Sequence, residues 1–224
     1  MFNLNQLVAL TTLQASLNAK IDPDWVAKEY PYYRAIAVEA GEAMDHYGWK
    51  WWKKQEPNIP QVKLELVDIL HFMLSEALLD AEGDVQETVV SIDDLTDGEA
   101  GHVMFDDVPY ELEQMDILEK LDLMCGLAGS GRISFALFYS LAESLDFPID
   151  EIFKTYIGKN VLNNFRQDHG DKQGTYVKTW KGQEDNVHLA AILDELDLSD
   201  PGVAETLYAR LQALYQEVLS EQAV

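Results

Sequence analysis

Residues 64–74 read LELVDILHFML, a nearly continuous apolar run that contains two acids, Glu65 and Asp68. A second acid pair, Glu39 and Glu42, has the same spacing in an earlier helical pattern. In a helix, residues three apart lie on one face, so each pair presents its carboxylates together. A segment as apolar as 64–74 must be largely covered, and a buried carboxylate without compensation costs several kcal/mol. The two pairs therefore need a source of positive charge.

That charge is not available from nearby side chains. Residues 38–48 and 64–83 contain no lysine or arginine. A hard divalent cation held by the four carboxylates would compensate them, and oxygen-only ligands favour Mg²⁺ or Mn²⁺. An isolated E-x-x-E pair is more often a solvated helix face. Here two such pairs lie on consecutive apolar helices, and the short turn between the helices allows them to pack antiparallel. A shared metal site is then about as good an explanation as two solvated helix faces.

Composition narrows the class of protein. The chain has 224 residues, which is enough to bury a core in one domain. Its net charge of −24 argues against general binding to nucleic acids or anionic membranes. No apolar run reaches the length of a membrane span, the N-terminus lacks a signal peptide's basic start, and the single cysteine, Cys125, excludes an internal disulfide. We therefore predict a single cytoplasmic domain over residues 1–224.

Helical spacing of apolar residues predominates, except in one segment. Residues 84–110 are strongly acidic, show little periodicity and contain Asp-Gly and Gly-His turn signals. We interpret this segment as a loop-rich insertion. The remainder predicts an all-α fold, because strand-like alternation of useful length does not occur.

Two groups of residues are suited to a planar ligand. Gln14 and Asn18 are four apart on an amphipathic helix, where two amides could read a hydrogen-bonding edge. A solvated pair is the commoner explanation. Residues 48–54, GWKWWKK, could form a stacking wall with a cationic rim for a base and its phosphates. Core filling at a helix junction is the alternative.

A basic island lies in residues 154–181. Six cationic residues there face only two acids, which leaves a charge of +4 in a strongly acidic chain. A polyphosphate ligand would explain the island, because Lys and Arg donors neutralise charge on phosphate oxygens. Docking of the island on the chain's own acidic surface is the alternative.

Several motifs follow one another in a fixed order. The chain contains QASLN (14–18), EAGE (39–42), GWKWWK (48–53), ELVDILHF (65–72), GKNVLNNFRQD (158–168) and GTYVKTWKGQEDN (174–186). The ordered set resembles the motifs of the dimeric, all-α dUTPases and covers most of the chain except residues 84–110 and the C-terminal tail. The resemblance implies a helical bundle of the all-α NTP pyrophosphohydrolase type.

The resemblance also implies an activity. A homodimer would hydrolyse dUTP, and dUDP, to dUMP, with release of pyrophosphate or phosphate at a Mg²⁺ cluster, for which Mn²⁺ would be a substitute. The implied metal ligands are Glu39, Glu42, Glu65 and Asp68. One of the first two, for which we favour Glu39, would orient or deprotonate the attacking water.

Further site residues follow from the resemblance by position. Gln14, Asn18, Trp51, His71, Phe72 and Asn163 would surround the deoxyuridine. Lys159, Arg166, Lys172, Tyr176 and Lys178 would engage phosphates, some of them across the dimer. One position departs from the family pattern: Asp171 follows Gly170 where a tyrosine is usual, and an ionised acid cannot donate a hydroxyl to phosphate.

Three other functions fit parts of the pattern. A MazG-like pyrophosphohydrolase would act on another nucleotide, such as dCTP, with the same metal chemistry. A ferritin-like di-iron protein would need Glu-x-x-His on two helices, whereas this chain offers only Asp68-x-x-His71 and a mis-spaced Glu42 and His46. A non-enzymatic acidic helical interaction module is the remaining alternative.

Overall fold

The computed structural model describes residues 1–98, 101–196 and 202–222, and most of them lie in helices. The helices are α1 (Leu4–Ile21), α2 (Trp25–Lys28), α3 (Tyr32–Tyr47), α4 (Ile59–Asp80), α5 (Val85–Gly98), α6 (Ile117–Gly129), α7 (Phe135–Ser144), α8 (Ile149–Asp168), α9 (Asp185–Asp194) and α10 (Val203–Gln222). The described strands form two antiparallel hairpins, β1 (His102–Phe105) with β2 (Val108–Glu111) and β3 (Thr179–Trp180) with β4 (Gln183–Glu184). The all-α class is confirmed. Among the described residues, no helix combines the length and hydrophobicity needed to cross a bilayer.

Helix α4 lies at the centre of the main core, in contact with α1, α3, α5, α7 and α8. Its buried side chains include Val67, Ile69 and Met73. The Asn58 side chain caps its N-terminus, and Pro60 occupies the first turn, where a missing N–H has no cost. A helix covered on nearly all sides needs an all-round apolar sequence, which explains why residues 64–74 lack an amphipathic pattern.

Helices α3 and α4 pack antiparallel, as we expected. The Asn58 backbone N–H, next to the start of α4, donates to the His46 carbonyl near the end of α3 at 2.9 Å. Tyr32, at the start of α3, stacks on Phe72 further along α4, with ring centroids 6.4 Å apart. The middle of α3 therefore passes the first half of α4, where the second acid pair lies.

A second, smaller core joins the C-terminal half of α8 to α9, α10 and the β3–β4 hairpin. Phe165 of α8 lies within it and contacts the rings of Trp180 and Tyr215 at centroid distances of 6.0 and 5.5 Å. The N-terminal half of α8 contributes Ile152 and Tyr156 to the main core. Helix α8 therefore belongs to both cores and links the C-terminal elements to the acid-bearing helices.

Residues 84–110 require a correction, because they are more regular than the loop-rich segment we expected. The described part carries α5 and the β1–β2 hairpin, and residues 99 and 100 lie outside the described residues. Val89 and Ile92 of α5 and Val103 of β1 are each 1% exposed and join the main core. So short an apolar stripe within acidic sequence is too weak to recognise as a helix. The interpretation of 84–110 as an insertion in a single domain stays a prediction.

The contact between α8 and α9 depends on Gly158. A Cβ at this position would lie 2.4 Å from Leu193 Cδ1, so alanine would require the buried Leu193 side chain to shift within the second core. We expect Gly158→Ala to lower the free energy of unfolding by about 1–3 kcal/mol, because overpacking strains a filled core.

Gly41→Ala in α3 is the matched control, because a Cβ there would have no neighbour within 4 Å. It should raise the free energy of unfolding by about 0.5–1 kcal/mol, since alanine is the better helix former. Urea unfolding measures both variants. If both substitutions changed the free energy of unfolding in the same direction, the close approach of α9 to Gly158 would be contradicted.

Candidate metal and nucleotide site

Three carboxylates converge where α3 passes α4. Glu39 and Glu42 of α3 and Glu65 of α4 each offer one oxygen, and these oxygens lie within 4.8 Å of one another. Asp68, one turn further along α4, lines the same cavity, and its Oδ2 is 2.6 Å from Lys159 Nζ. The four acids singled out in the sequence therefore lie together, three as direct neighbours and the fourth paired with a lysine.

The clustered carboxylates have unusual proton affinities. Burial raises the pKa of Glu65 to about 8, and the charge of neighbouring Asp68 adds to the effect. Burial also raises the pKa of Glu39 to about 7, with Asp68 and Glu42 contributing. The Lys159 charge opposes both shifts without cancelling them. Without a cation these carboxyls resist ionisation, and a hard divalent cation such as Mg²⁺ or Mn²⁺ would stabilise their charged form.

Two cavities meet beside this cluster. The acidic cavity, of about 580 Å³, is lined by the four acids and by three cationic side chains, Lys159, Arg166 and Lys178. The narrower cavity, of about 370 Å³, is lined mainly by apolar, aromatic and amide side chains between α1, α4 and α8. Asp68, Phe72, Asn163 and Arg166 line both cavities, so the two are adjacent.

The narrower cavity contains most of the residues expected around a base. It is lined by Gln14, Asn18, His71, Phe72 and Asn163. Trp51 lines neither cavity: it is 89% exposed and packs edge-on against Trp52, with ring centroids 5.4 Å apart. The single chain therefore does not bring Trp51 to the other five residues. Tyr32, which the sequence did not single out, lines this cavity through its stack on Phe72.

The residues expected around phosphates fall into two groups. Lys159, Arg166 and Lys178 line the acidic cavity. Tyr176 lines neither cavity, and its hydroxyl donates to Asp185 Oδ2 at 2.8 Å. Its hydrogen is therefore already engaged within the protein.

Lys172 and Asp171 lie at the far end of the narrower cavity. Lys172 Nζ donates to the Ile21 carbonyl at 2.5 Å, and Ile21 lines this cavity. Asp171 also lines it and accepts a hydrogen bond from Gln167 Nε2 at 3.1 Å. The position that departs from the family pattern thus faces the narrower cavity instead of the acidic one.

A buried ion pair that the sequence did not predict orients Arg166. Asp185, at the start of α9 and 0% exposed, accepts hydrogen bonds from Arg166 Nε and Nη2, both at 2.8 Å. Burial alone would raise the pKa of Asp185, but the hydrogen bonds from Arg166 and Tyr176 hold it below its ordinary value. The adjacent Asn186 accepts from Lys159 Nζ at 3.2 Å. The start of α9 therefore fixes two cations of the acidic cavity.

Comparison with known proteins identifies a matching family. A sequence model of the family described as dUTPase matches residues 6–170, well over half of the chain. The matched region contains the four acids and every lining residue of the narrower cavity except Asp171, and it ends before Asp185. No curated protein matched the chain.

The raised pKa values predict how the stability of the metal-free protein depends on pH. An unfolded glutamate titrates near 4.5, so between about pH 5 and 8 the native state holds protons that the unfolded state has lost. The free energy of unfolding contributed by these groups must therefore fall as the pH rises through this range. With a chelator present, the free energy of unfolding of Glu65→Gln should depend less on pH than that of the wild type. At about pH 8.5 it should be higher than the wild-type value by about 1 kcal/mol or more.

Urea unfolding across this pH range measures the effect. The exposed Glu87→Gln variant on α5 is the control, and its free energy of unfolding should change with pH as steeply as that of the wild type. If Glu65→Gln also kept that slope, the assignment of a raised pKa to Glu65 would be wrong.

Removal of the Asp185 charge should destabilise the second core. Asp185→Asn leaves the Arg166 guanidinium largely buried without a counter-ion, which typically costs about 3–5 kcal/mol in the free energy of unfolding. Asp194→Asn on the same helix is the control, because that side chain is 85% exposed and its ion pair with Lys154 Nζ is long, at 4.0 Å. It should change the free energy by less than about 0.5 kcal/mol. If both variants lost similarly little free energy of unfolding, the buried pair of Arg166 and Asp185 would not be what holds α9 to α8.

Proposed function

The chain belongs to the dUTPase family and is a nucleotide diphosphatase, and we propose that it hydrolyses dUTP, and dUDP, to dUMP at carboxylate-bound Mg²⁺. The supporting observation is that the two cavities adjoin. An acidic cavity with cationic side chains shares Asp68 and Phe72 with a narrower cavity lined mainly by apolar, aromatic and amide groups. This arrangement suits a nucleotide whose base and phosphates need different surroundings.

The deoxyuridine would occupy the narrower cavity. Phe72 offers a ring face supported by Tyr32, and Asn18 and His71 offer polar atoms for the edge of the base. Asn163 lines both cavities and would lie near the sugar. The phosphates would then extend past Asp68 toward the acid cluster.

Metal ions would be held by Glu39, Glu42, Glu65 and Asp68. Mg²⁺, for which Mn²⁺ is a substitute, lowers the pKa of a bound water and neutralises charge on phosphate oxygens. Glu39 is the residue to which we assign orientation and deprotonation of the attacking water. It is half-buried, whereas Glu42 is exposed, so Glu39 is better shielded from bulk solvent.

Cationic side chains would stabilise the charge of the leaving group. Arg166 donates through Nε and Nη2 to Asp185, through Nη2 to Asn186 and through Nη1 to Asn163. Within the described residues these bonds use four of its five N–H groups, which leaves one Nη1 hydrogen for a phosphate oxygen. Lys159, between Asp68 and Asn186, and Lys178 would add further positive charge.

Three of the predicted contacts require a change from the single chain described. Trp51 could reach a base only if residues 48–54 move over the cavity or approach the cavity of a second copy. Lys172 and Tyr176 would have to exchange their present partners for phosphate. Such exchanges would be consistent with a homodimer, and the homodimeric state and cytoplasmic location stay predictions.

Nucleotide turnover tests the proposal. With Mg²⁺ present, the protein should release pyrophosphate from dUTP in preference to dCTP and dTTP, and a chelator should abolish turnover. Glu42→Gln and Asp68→Asn should lower kcat by at least about 100-fold, because each removes charge from the metal cluster.

Glu87→Gln, distant from both cavities, is the control and should retain wild-type turnover. Preferential turnover of dCTP would support the MazG-like alternative. Absence of turnover, or turnover that is insensitive to chelation and to both site substitutions, would refute the proposed mechanism.

A further inference from the structure

A network of buried polar side chains lies against the narrower cavity. It joins Gln14 and Asn18 of α1, His71 and Ser75 of α4 and Tyr156 of α8, and every member is less than 5% exposed. Three of them, Gln14, Asn18 and His71, also line the cavity. Ser75 and Tyr156 are not among the lining residues, so their contribution must pass through the others.

Ser75 sets the direction of the hydrogen bonds in this network. Its hydroxyl donates to the His71 carbonyl at 2.9 Å, one helical turn back. The Oγ atom then has two lone pairs, which accept from Gln14 Nε2 at 2.8 Å and Asn18 Nδ2 at 3.1 Å. The other possible acceptor for the Ser75 hydrogen, Asn18 Oδ1, is further away at 3.4 Å. Ser75 therefore presents only an acceptor to the two amides.

Gln14 has no hydrogen-bonding capacity left for a ligand. Its Nε2 donates to Ser75 and to Asn18 Oδ1, the latter at 2.9 Å. Its Oε1 accepts from the Tyr156 hydroxyl at 2.7 Å and lies 2.8 Å from His71 Nδ1. Two hydrogens and two lone pairs are all that an amide offers. Gln14 is therefore a positioning residue, and the sequence-based expectation that it reads the base directly is replaced by an indirect role.

His71 presents an acceptor beside this network. Burial lowers the pKa of His71 to about 3, so its ring is neutral at physiological pH. Because Nδ1 donates its hydrogen to Gln14, Nε2 carries a lone pair. Among the described residues, His71 Nε2 is buried without a hydrogen-bond partner.

Asn18 retains one Nδ2 hydrogen and one Oδ1 lone pair beyond its bonds to Ser75 and Gln14 within the described residues. Its amide cannot be reversed at low cost. Reversal would place its NH₂ against the NH₂ of Gln14 and its oxygen against the lone pairs of Ser75. Buried donors and acceptors left unpaired in this way cost about 1–3 kcal/mol each. The order of donor and acceptor that Asn18 offers to the cavity is therefore fixed.

We infer that Ser75 is a specificity-determining positioning residue, which locks the Asn18 amide so that the cavity accepts a 4-oxo pyrimidine and rejects a 4-amino pyrimidine. The Nδ2 hydrogen that Asn18 leaves free can donate to the carbonyl oxygen at C4 of uracil. Cytosine presents an amino group at C4, so it would need the reversed amide. The inference rests on the proposed function, because it takes a pyrimidine nucleotide to occupy the narrower cavity.

The ratio of kcat/KM for dUTP to kcat/KM for dCTP measures this role. Ser75→Ala removes the acceptor that opposes reversal of the Asn18 amide, while Gln14 stays held by Tyr156 and His71. The ratio should therefore fall about tenfold, mainly through improved use of dCTP. Ser75→Cys, which keeps a similar volume with a much weaker acceptor, should show the same direction of change. Ser75→Thr keeps the oxygen and should hold the wild-type ratio even if its added methyl group lowers Tm.

Ser134→Ala separates specificity from general destabilisation. Ser134 is also buried, but it caps α7 away from the cavity, so its loss should lower Tm and leave the ratio unchanged. If the wild type prefers dUTP and Ser75→Ala and Ser75→Cys both keep the full ratio, the role of Ser75 is refuted while the proposed function stands. If the wild type does not hydrolyse dUTP, the proposed function itself fails.

Discussion

Repulsion among neighbouring carboxylates is the constraint on which the arrangement of the site depends. Glu39, Glu42 and Glu65 approach one another because α3 and α4 pack antiparallel, and the acid-bearing parts of these helices carry no lysine or arginine that could relieve the repulsion. The compensating side chains come from α8, which contributes Lys159 and Arg166. The site therefore needs three helices: two that concentrate negative charge, and one that supplies positive charge without neutralising the cluster.

The basic island of residues 154–181 is divided between ion pairs within the chain and the lining of the acidic cavity. Part of its charge is consumed internally, since Arg166 pairs with Asp185, and Lys181 pairs with Glu217 of α10 at 2.6 Å. Lys159, which pairs with Asp68 at 2.6 Å, and Lys178 line the acidic cavity, where they would meet the phosphates under the proposed function. Internal pairing orients the C-terminal elements, and this orientation carries the remaining cations to the cavity.

The sequence predicted features that depend on one helix or on two consecutive helices. Acid spacing and apolar periodicity within α3 and α4 were enough to predict that four acids lie together, namely Glu39, Glu42, Glu65 and Asp68. Contacts between distant segments were not visible in this way: Arg166 and Asp185 are 19 residues apart on different helices. The saturation of Gln14 depends on side chains from two other helices, so spacing along α1 could not reveal it.

The exposed position of Trp51 and the regular structure of residues 84–110 differ from expectation for related reasons. Composition alone does not decide whether an aromatic run packs inward or faces solvent, because that depends on what its neighbours cover. Likewise, the helix α5 owes its place to the main core that it joins through Val89 and Ile92. Its own sequence carries only a weak helical signal.

The sharing of α8 between two cores has a consequence for where this chain can be divided. The family match ends at residue 170, yet the counter-ion of Arg166 and the rings that surround Phe165 come from later residues. A fragment that stopped at the end of the match would keep every carboxylate of the site. It would also leave an uncompensated guanidinium and a bare aromatic surface on its last helix. The C-terminal segment therefore completes the surroundings of α8, although the match to the family ends before it.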